Sequence, residues 1–233
     1  MGTATHRKLA LRLKRGIDVL GAAAAGVLLS PAIVATSLAV LAVEGRPILF
    51  RQRRPGLHGE PFTILKFRTM CPPRADEVWY LSDARRVTRL GRFLRSTSLD
   101  ELPELWNVLR GEMSLVGPRP LLIEYLEKYT PGERRRHDML PGITGWAAVN
   151  GRHILKFRER VRLDVWYVDH WSLWLDLRIL ALTAIQVVRR ANVAQSVDVA
   201  SLGFPLPNSA PRGTGSEPDR SEGGTAQARQ RGR

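Results

Sequence analysis

Residues 19–43 carry no charged side chain, and basic residues stand on both sides of the run: Arg7, Lys8, Arg12, Lys14 and Arg15 before it, Arg46, Arg51, Arg53 and Arg54 after it. No other stretch limits the fold so strongly. About 20 apolar residues suffice to span a bilayer as one helix, but Ser30-Pro31 falls in the middle of this run. An internal proline removes a helical hydrogen bond and clashes with the preceding turn, so a sharp bend is expected there. Each arm beside the break is about a dozen residues and reaches roughly 18 Å, short of the ~30 Å hydrocarbon core. A spanning helix also carries its basic residues preferentially on the cytoplasmic side, whereas here both flanks are basic. Both facts fit a re-entrant hairpin over residues 1–44 that enters one leaflet, turns at Ser30-Pro31 and returns to the cytoplasm. A proline-kinked spanning helix is the alternative. A cleaved signal peptide fits less well, because the run is longer than the usual apolar region and no small-residue cleavage site follows it. Asp18, one turn from Lys14 and Arg15, reads as a local salt bridge at the interface.

Residues 45–190 read as one small α+β domain, mainly helical, with a short β-hairpin. The β-prone runs 48–52 and 62–67 flank the turn chemistry Pro55-Gly56-Leu57-His58-Gly59, which predicts the hairpin. Lys66 and Arg68 close its second strand. Residues 72–84 read as irregular. Val87, Leu90 and Leu94 recur at helical spacing among Arg85, Arg86, Arg89, Arg92 and Arg95, giving an amphipathic helix whose basic face suits solvent or an anionic bilayer. Residues 113–116 read as a short strand, 121–129 as a helix stopped by Pro131-Gly132, 141–145 as a turn, and Asn150-Gly151-Arg152 as a basic loop. A charged helix is expected over 157–170, bearing Asp164 and an aromatic cluster of Trp166, Tyr167 and Trp171. Residues 173–188 read as a buried or interfacial helix, too short for a second span. Residues 191–233, rich in Pro, Gly, Ser and Arg towards their end, read as a disordered tail.

Within the domain, Arg95-Ser96-Thr97-Ser98-Leu99-Asp100-Glu101-Leu102-Pro103 sets two adjacent carboxylates beside an arginine, and Gly117-Pro118-Arg119-Pro120 follows as a stiff loop. Carboxylates can attack phosphorus or hold a divalent cation, and arginine forks hold phosphate oxygens, so the pairing points to phosphoryl chemistry. A purely structural use exists too, because Ser98-Leu99-Asp100-Glu101 matches a capping box. A helix capped by Ser98 would place Pro103 at its fifth position, where the missing N–H costs a helical bond. A start at or just after Asp100 places Pro103 within the first turn instead. In either register both carboxylates lie near a helix N-terminus, whose partial positive charge favours the ionised form. The helix presents Leu102, Leu105, Trp106 and Leu109 on an apolar face and ends near Gly111. Two prolines fix the backbone around Arg119; a rigid turn with a solvated arginine is the other reading.

Lys+Arg 36 against Asp+Glu 22 gives a formal net charge of +14 over 233 residues, which favours anionic partners: nucleic acid, phosphorylated small molecules or the negative face of a membrane. A nucleic-acid-binding module would need neither lipid nor Mg²⁺, and the uncharged run argues against it. The single cysteine, Cys71, excludes an intramolecular disulfide and any cysteine-based metal cluster. Walker A, dinucleotide-binding and HExxH patterns and internal repeats are all absent from the sequence.

Lys14-Arg15-Gly16-Ile17-Asp18, Lys66-Phe67-Arg68-Thr69-Met70, Arg89-Leu90-Gly91-Arg92-Phe93-Leu94-Arg95, Thr97-Ser98-Leu99-Asp100-Glu101-Leu102-Pro103, Met113-Ser114-Leu115-Val116-Gly117-Pro118-Arg119-Pro120 and Pro141-Gly142-Ile143-Thr144-Gly145-Trp146 together resemble the bacterial sugar transferase family, the monotopic phosphoglycosyl transferases, over roughly residues 14–190. The resemblance implies transfer of a phosphosugar from a UDP-sugar to polyprenol (undecaprenyl) phosphate with release of UMP. This would be the first membrane step of glycan or exopolysaccharide assembly, on the cytoplasmic face of a bacterial inner membrane. It implies that Asp100 is the nucleophile, that Glu101 with Asp100 binds Mg²⁺, and that Arg95 and Arg119 lie at the active site. Asp164 is placed nearby, and Lys66, Arg68 and Arg152 complete the candidate phosphate-binding set. Ser30-Pro31 matches the family's helix break. One departure is local: the usual Gly-Trp-Ala-Gln stands here as Gly145-Trp146-Ala147-Ala148, without the glutamine. The implied partners are a UDP-sugar, polyprenol phosphate and the phospholipid bilayer, not nucleic acid; a homo-oligomer is compatible with them. A non-catalytic membrane-anchored scaffold is the remaining alternative.

Overall fold

The computed structural model describes residues 2–72, 86–151 and 155–189; the tail expected over 191–233, and nearly all of the irregular stretch expected over 72–84, lie outside the described residues. The chain begins with two helices, α1 (Gly2–Leu28) and α2 (Ser30–Glu44), bent by 64° at the break. The bend has a local cause. Pro31 has no N–H to give the Val27 carbonyl, and the Ser30 hydroxyl donates to that carbonyl instead, at 2.8 Å. On either side the helical bonds from Leu29 to Ala25 and from Ile33 to Leu29 persist. Pro31 thus occupies the first turn of α2, where a missing N–H costs nothing. No single helix among the described residues is long and apolar enough to cross a membrane; the two meet that test only together, by length and composition.

The middle of α1 is bound into the rest of the fold. Lys14 Nζ donates to Asp176 Oδ2 at 2.7 Å and to the Val116 carbonyl at 3.0 Å, and Asp18 Oδ1 accepts the Leu115 N–H at 3.0 Å. The local Lys14–Asp18 pair expected at an interface is only 3.9 Å apart and buried; both side chains serve tertiary contacts first. Arg15 donates to the Val108 and Leu109 carbonyls, so its neighbour in sequence is also a link between segments. Leu20, Val27, Leu28 and Leu38 remain exposed, whereas Ala22 and Val40 are fully buried against the domain.

Strand β1 (Leu49–Pro55) pairs antiparallel with β2 (Pro61–Phe67) in the register Leu49↔Phe67 to Pro55↔Pro61, as the turn chemistry predicts. Ile64 packs with Ala22, Leu105, Val108 and Met113, and Phe67 with Val40 and Leu94. Helix α3 (Arg89–Thr97) is capped by Thr88, whose Oγ1 accepts the Gly91 N–H at 2.8 Å. A Cβ at Gly91 would fall 2.0 Å from the Thr69 carbonyl oxygen, so only glycine lets α3 lie this close to the chain after β2.

Ser98 ends α3 in the left-handed conformation, at φ 58°, and makes no capping bond to the following turn. The capping box is therefore not formed. Leu99–Glu101 winds as a 3₁₀ turn, and helix α4 (Glu104–Arg110) starts beyond Pro103, which stands at its N-cap. The carboxylates thus precede the helix rather than sitting in its first turn, and Pro103 loses no helical bond. Trp106, expected on the apolar face, is exposed, while Leu105 and Val108 are buried.

Two further expectations change. Residues 142–144 form a strand, β4 (Gly142–Thr144), parallel to β3 (Ser114–Val116). Here a Cβ on Gly142 would lie 2.0 Å from the Gly117 nitrogen, so paired glycines allow the backbones to touch. Within 121–129 the winding is a 3₁₀ helix, Ile123–Lys128. Leu121, Tyr125 and Tyr129 are buried there in one cluster with Phe157 and Val161.

Short helix α5 (Pro131–Arg134), a 3₁₀ turn at Arg135–His137 and helix α6 (Trp146–Val149) lead to α7 (Phe157–Asp169) and α8 (Leu173–Arg189). The expected aromatic cluster separates. Tyr167 is fully buried and donates to Asp176 Oδ1 at 2.6 Å, and Trp171 Nε1 donates to Asp176 Oδ2, while Trp166 stacks with Trp146 and His170.

Candidate active site

Asp100 and Glu101 are buried in the 3₁₀ turn between α3 and α4, and Glu104 is 1% exposed at the start of α4. Lys66, from the end of β2, reaches both glutamates: its Nζ is 2.9 Å from Glu101 Oε1 and 3.0 Å from Glu104 Oε1. Arg119, from the loop after β3, bonds to the same Glu101 oxygen. Behind it, fully buried Arg136 donates from Nη2 to the Arg119 carbonyl at 2.6 Å and to Asp164 Oδ2 at 2.7 Å. Asp164 therefore acts on the site through Arg136, which holds the backbone of the Gly117-Pro118-Arg119-Pro120 loop.

The electrostatics separate the neighbours. Burial alone would raise the Glu101 carboxyl, but Arg119 and Lys66 outweigh it and hold Glu101 well below the usual range. Burial, then the adjacent Glu101 charge, push Asp100 upwards against Lys66, Arg119 and Arg95. Among the described residues none donates a hydrogen bond to the Asp100 carboxylate. The sequence expectation is that a helix N-terminus favours the ionised form of both residues; Glu101 is instead kept ionised by its pairing with Arg119 and Lys66, and Asp100, equally buried, is pushed the other way. Burial pushes Glu104 up to about 7.

Of the other predicted residues, Arg95 lies near enough to act electrostatically on Asp100, and its Nε donates to Thr69 Oγ1 at 3.0 Å. Arg68 is turned away from the cluster: its guanidinium grips the carbonyls of Glu44, Gly45 and Arg46 at the end of α2. Arg152 lies outside the described residues. The structure adds Glu104, Arg54, Arg136 and Arg160, whose charges act on Glu101, Arg119 or Asp164. Arg54 is legible only as an inward position of β1; Glu104 is masked in the sequence as an ordinary helix residue. Cations outnumber carboxylates here, which leaves the site short of negative charge.

A pocket of about 140 Å³ opens beside the cluster, between the α1–α2 break and α8, with Glu101, Arg119, Leu29, Ala148 and Gln186 in its wall. Fixed cations around buried carboxylates suit the holding of anionic, phosphate-bearing groups.

The chain belongs to the bacterial sugar transferase family, whose model matches residues 9–190. It is similar to an uncharacterized sugar transferase, EpsL, of Bacillus subtilis, at 49% identity over 173 residues, covering 74% of this chain and 86% of that protein. It is 42% identical over 189 residues to the UDP-glucose:undecaprenyl-phosphate glucose-1-phosphate transferase of Caulobacter vibrioides, covering 77% and 71% of the two chains. The enzyme of that name from Escherichia coli is 41% identical over 184 residues, covering 75% of this chain and 40% of its own length. The protein is thus a sugar-transferase enzyme.

Proposed function

We propose that this enzyme transfers a phosphosugar from a UDP-sugar to polyprenol phosphate at the cytoplasmic face of a bacterial inner membrane, with Asp100 as nucleophile. The observation that carries this reading is the contrast within the 3₁₀ turn: Glu101 is fixed by Arg119 and Lys66, while Asp100, its neighbour, accepts no hydrogen bond from a described residue. A carboxylate to which no described residue donates keeps lone pairs for attack. The names of the relatives support a sugar-nucleotide donor and an undecaprenyl-phosphate acceptor.

An Asp100 oxygen attacks the sugar-bearing phosphorus of the donor, the bond to the bridging oxygen breaks, and UMP leaves with that electron pair. An oxygen of polyprenol phosphate then attacks the same phosphorus and returns the Asp100 carboxylate. Arg119, Lys66 and Arg95 offset the negative charge that gathers as a carboxylate approaches a diphosphate. Among the described residues no three Asp, Glu, His or Cys side chains converge on an ion site. The residues fit a Mg²⁺ that takes one or two carboxylates and completes its shell with phosphate oxygens and water. Asp100 and Glu101 would hold it, and the ion would supply further charge neutralisation.

The α1–α2 bend and the basic flanks support a re-entrant anchor that keeps the site at headgroup depth, where a lipid phosphate can meet it. Replacing Asp100 with Asn is expected to abolish UMP release from UDP-sugars even without acceptor lipid. Full UMP release by the variant would exclude the nucleophilic role.

A further inference from the structure

We infer that the pocket between the α1–α2 break and α8 seats the first isoprene unit of the acceptor, with the acceptor's phosphate beside Arg119. The inference rests on the lipid-phosphate acceptor proposed above and assigns it a place. The wall is of two kinds: Glu101 and Arg119, which also belong to the charged cluster, and a remainder that includes the apolar Leu29, Leu102, Leu105, Ile143, Ala148 and Val187.

Three polar side chains of this wall each already bond within the protein. Thr183 Oγ1 donates to the Ile179 carbonyl at 2.8 Å and lies 2.8 Å from Thr144 Oγ1, and Gln186 Nε2 donates to the Val149 carbonyl at 2.9 Å. A sugar or nucleoside placed against the six apolar side chains of this wall would bury hydroxyls or ring nitrogens without partners there, at a cost for each unmade hydrogen bond. A hydrocarbon would not. Size agrees: about 140 Å³ is small beside the ~300–1,000 Å³ of pockets that enclose a drug-sized ligand, so a nucleotide does not fit, whereas a branched five-carbon unit does.

Position agrees as well. Leu29 lies at the break between the two apolar helices, so a chain leaving the pocket past it runs along the exposed Val27 and Leu28 side chains. Ala148 stands where the family pattern has glutamine, which leaves this wall apolar in this chain.

The test uses binding rather than turnover, so that it does not depend on a covalent role for Asp100. Full-length protein in detergent is titrated with undecaprenyl phosphate and, separately, with UMP. Val187→Trp, at a position 46% exposed, and Ala148→Leu fill the pocket from two sides. Both are expected to weaken undecaprenyl phosphate about tenfold or more while UMP affinity stays within about twofold. Retained UMP binding also reports that the variants are folded, and Val187→Trp carries the test if Ala148→Leu is not. Unchanged lipid affinity in a folded variant, or a loss confined to UMP, would overturn the assignment. A wild-type protein that binds the lipid here yet forms no Asp100 adduct would leave the pocket standing and remove only the nucleophile.

Discussion

Asp100, Glu101 and Glu104 are three carboxylates within five positions, and each has a different environment. Glu101 is paired twice, Asp100 lacks a described donor, and Glu104 shares Lys66 while almost wholly buried. Glu104 carries a consequence for stability. Its carboxyl titrates near 7 in the fold against about 4.3 in an unfolded chain. A raised folded value means that the stabilising contribution of the neutral form is complete below the unfolded value and is lost as pH rises through the folded one. Replacing Glu104 with Gln should therefore raise the melting temperature progressively more from pH 5 to pH 8, with a stability difference on the order of 3 kcal/mol at the upper end. A melting difference that does not vary with pH would contradict this. Asp164 makes the opposite case, because its partner Arg136 is a buried cation with an ion pair at 2.7 Å. Replacing Asp164 with Asn strands that charge and is expected to cost about 3–5 kcal/mol in denaturant unfolding, with the Arg119 loop loosened as its carbonyl loses a fixed donor.

At the scale of elements, the decisive feature is the exchange at Val27, whose carbonyl receives the Ser30 hydroxyl because Pro31 has no N–H to give. Replacing Pro31 with Ala restores that N–H and favours a continuous helix. Residues 19–43 would then extend roughly 38 Å, enough to cross the hydrocarbon core. Single cysteines placed at exposed His6 and Glu60, in a Cys71→Ser background, should label from the same, cytoplasmic side in the parent and from opposite sides after Pro31→Ala. Opposite-side labelling in the parent would exclude a re-entrant anchor. The strand pair β3–β4 depends instead on a contact between distant segments: close backbone approach at Gly117 and Gly142 admits two three-residue strands and so fixes the start of the Arg119 loop.

Across the whole molecule, what could be read in advance follows the range of the forces involved. The β1–β2 hairpin, α7, α8 and the bend at Ser30-Pro31 have short-range signals: turn residues, periodicity and a proline. The β4 strand has none, since three residues show no period and the partner is distant in sequence. The roles of Lys14, Asp18 and Arg68 are obscured for the same reason: the first two read as a local salt bridge and Arg68 as a phosphate holder, but each answers a group far along the chain, at Asp176, Leu115 and the end of α2. In the site, Asp100, Glu101 and Arg119 were visible as a motif, whereas Glu104 and Arg136 became visible only once burial and their contacts were known. The charge of +14 was legible as a preference for anions, and the cluster around Arg119 gives that preference a place. The sharpest test of covalent transfer is intact mass spectrometry of the full-length protein after incubation with a panel of UDP-sugars and no acceptor lipid. Covalent transfer through Asp100 predicts a mass increase of one phosphosugar, mapped to the peptide holding Asp100, absent in Asp100→Asn and discharged by adding undecaprenyl phosphate. Undiminished turnover with no adduct under any donor, even in rapidly quenched samples, would contradict it.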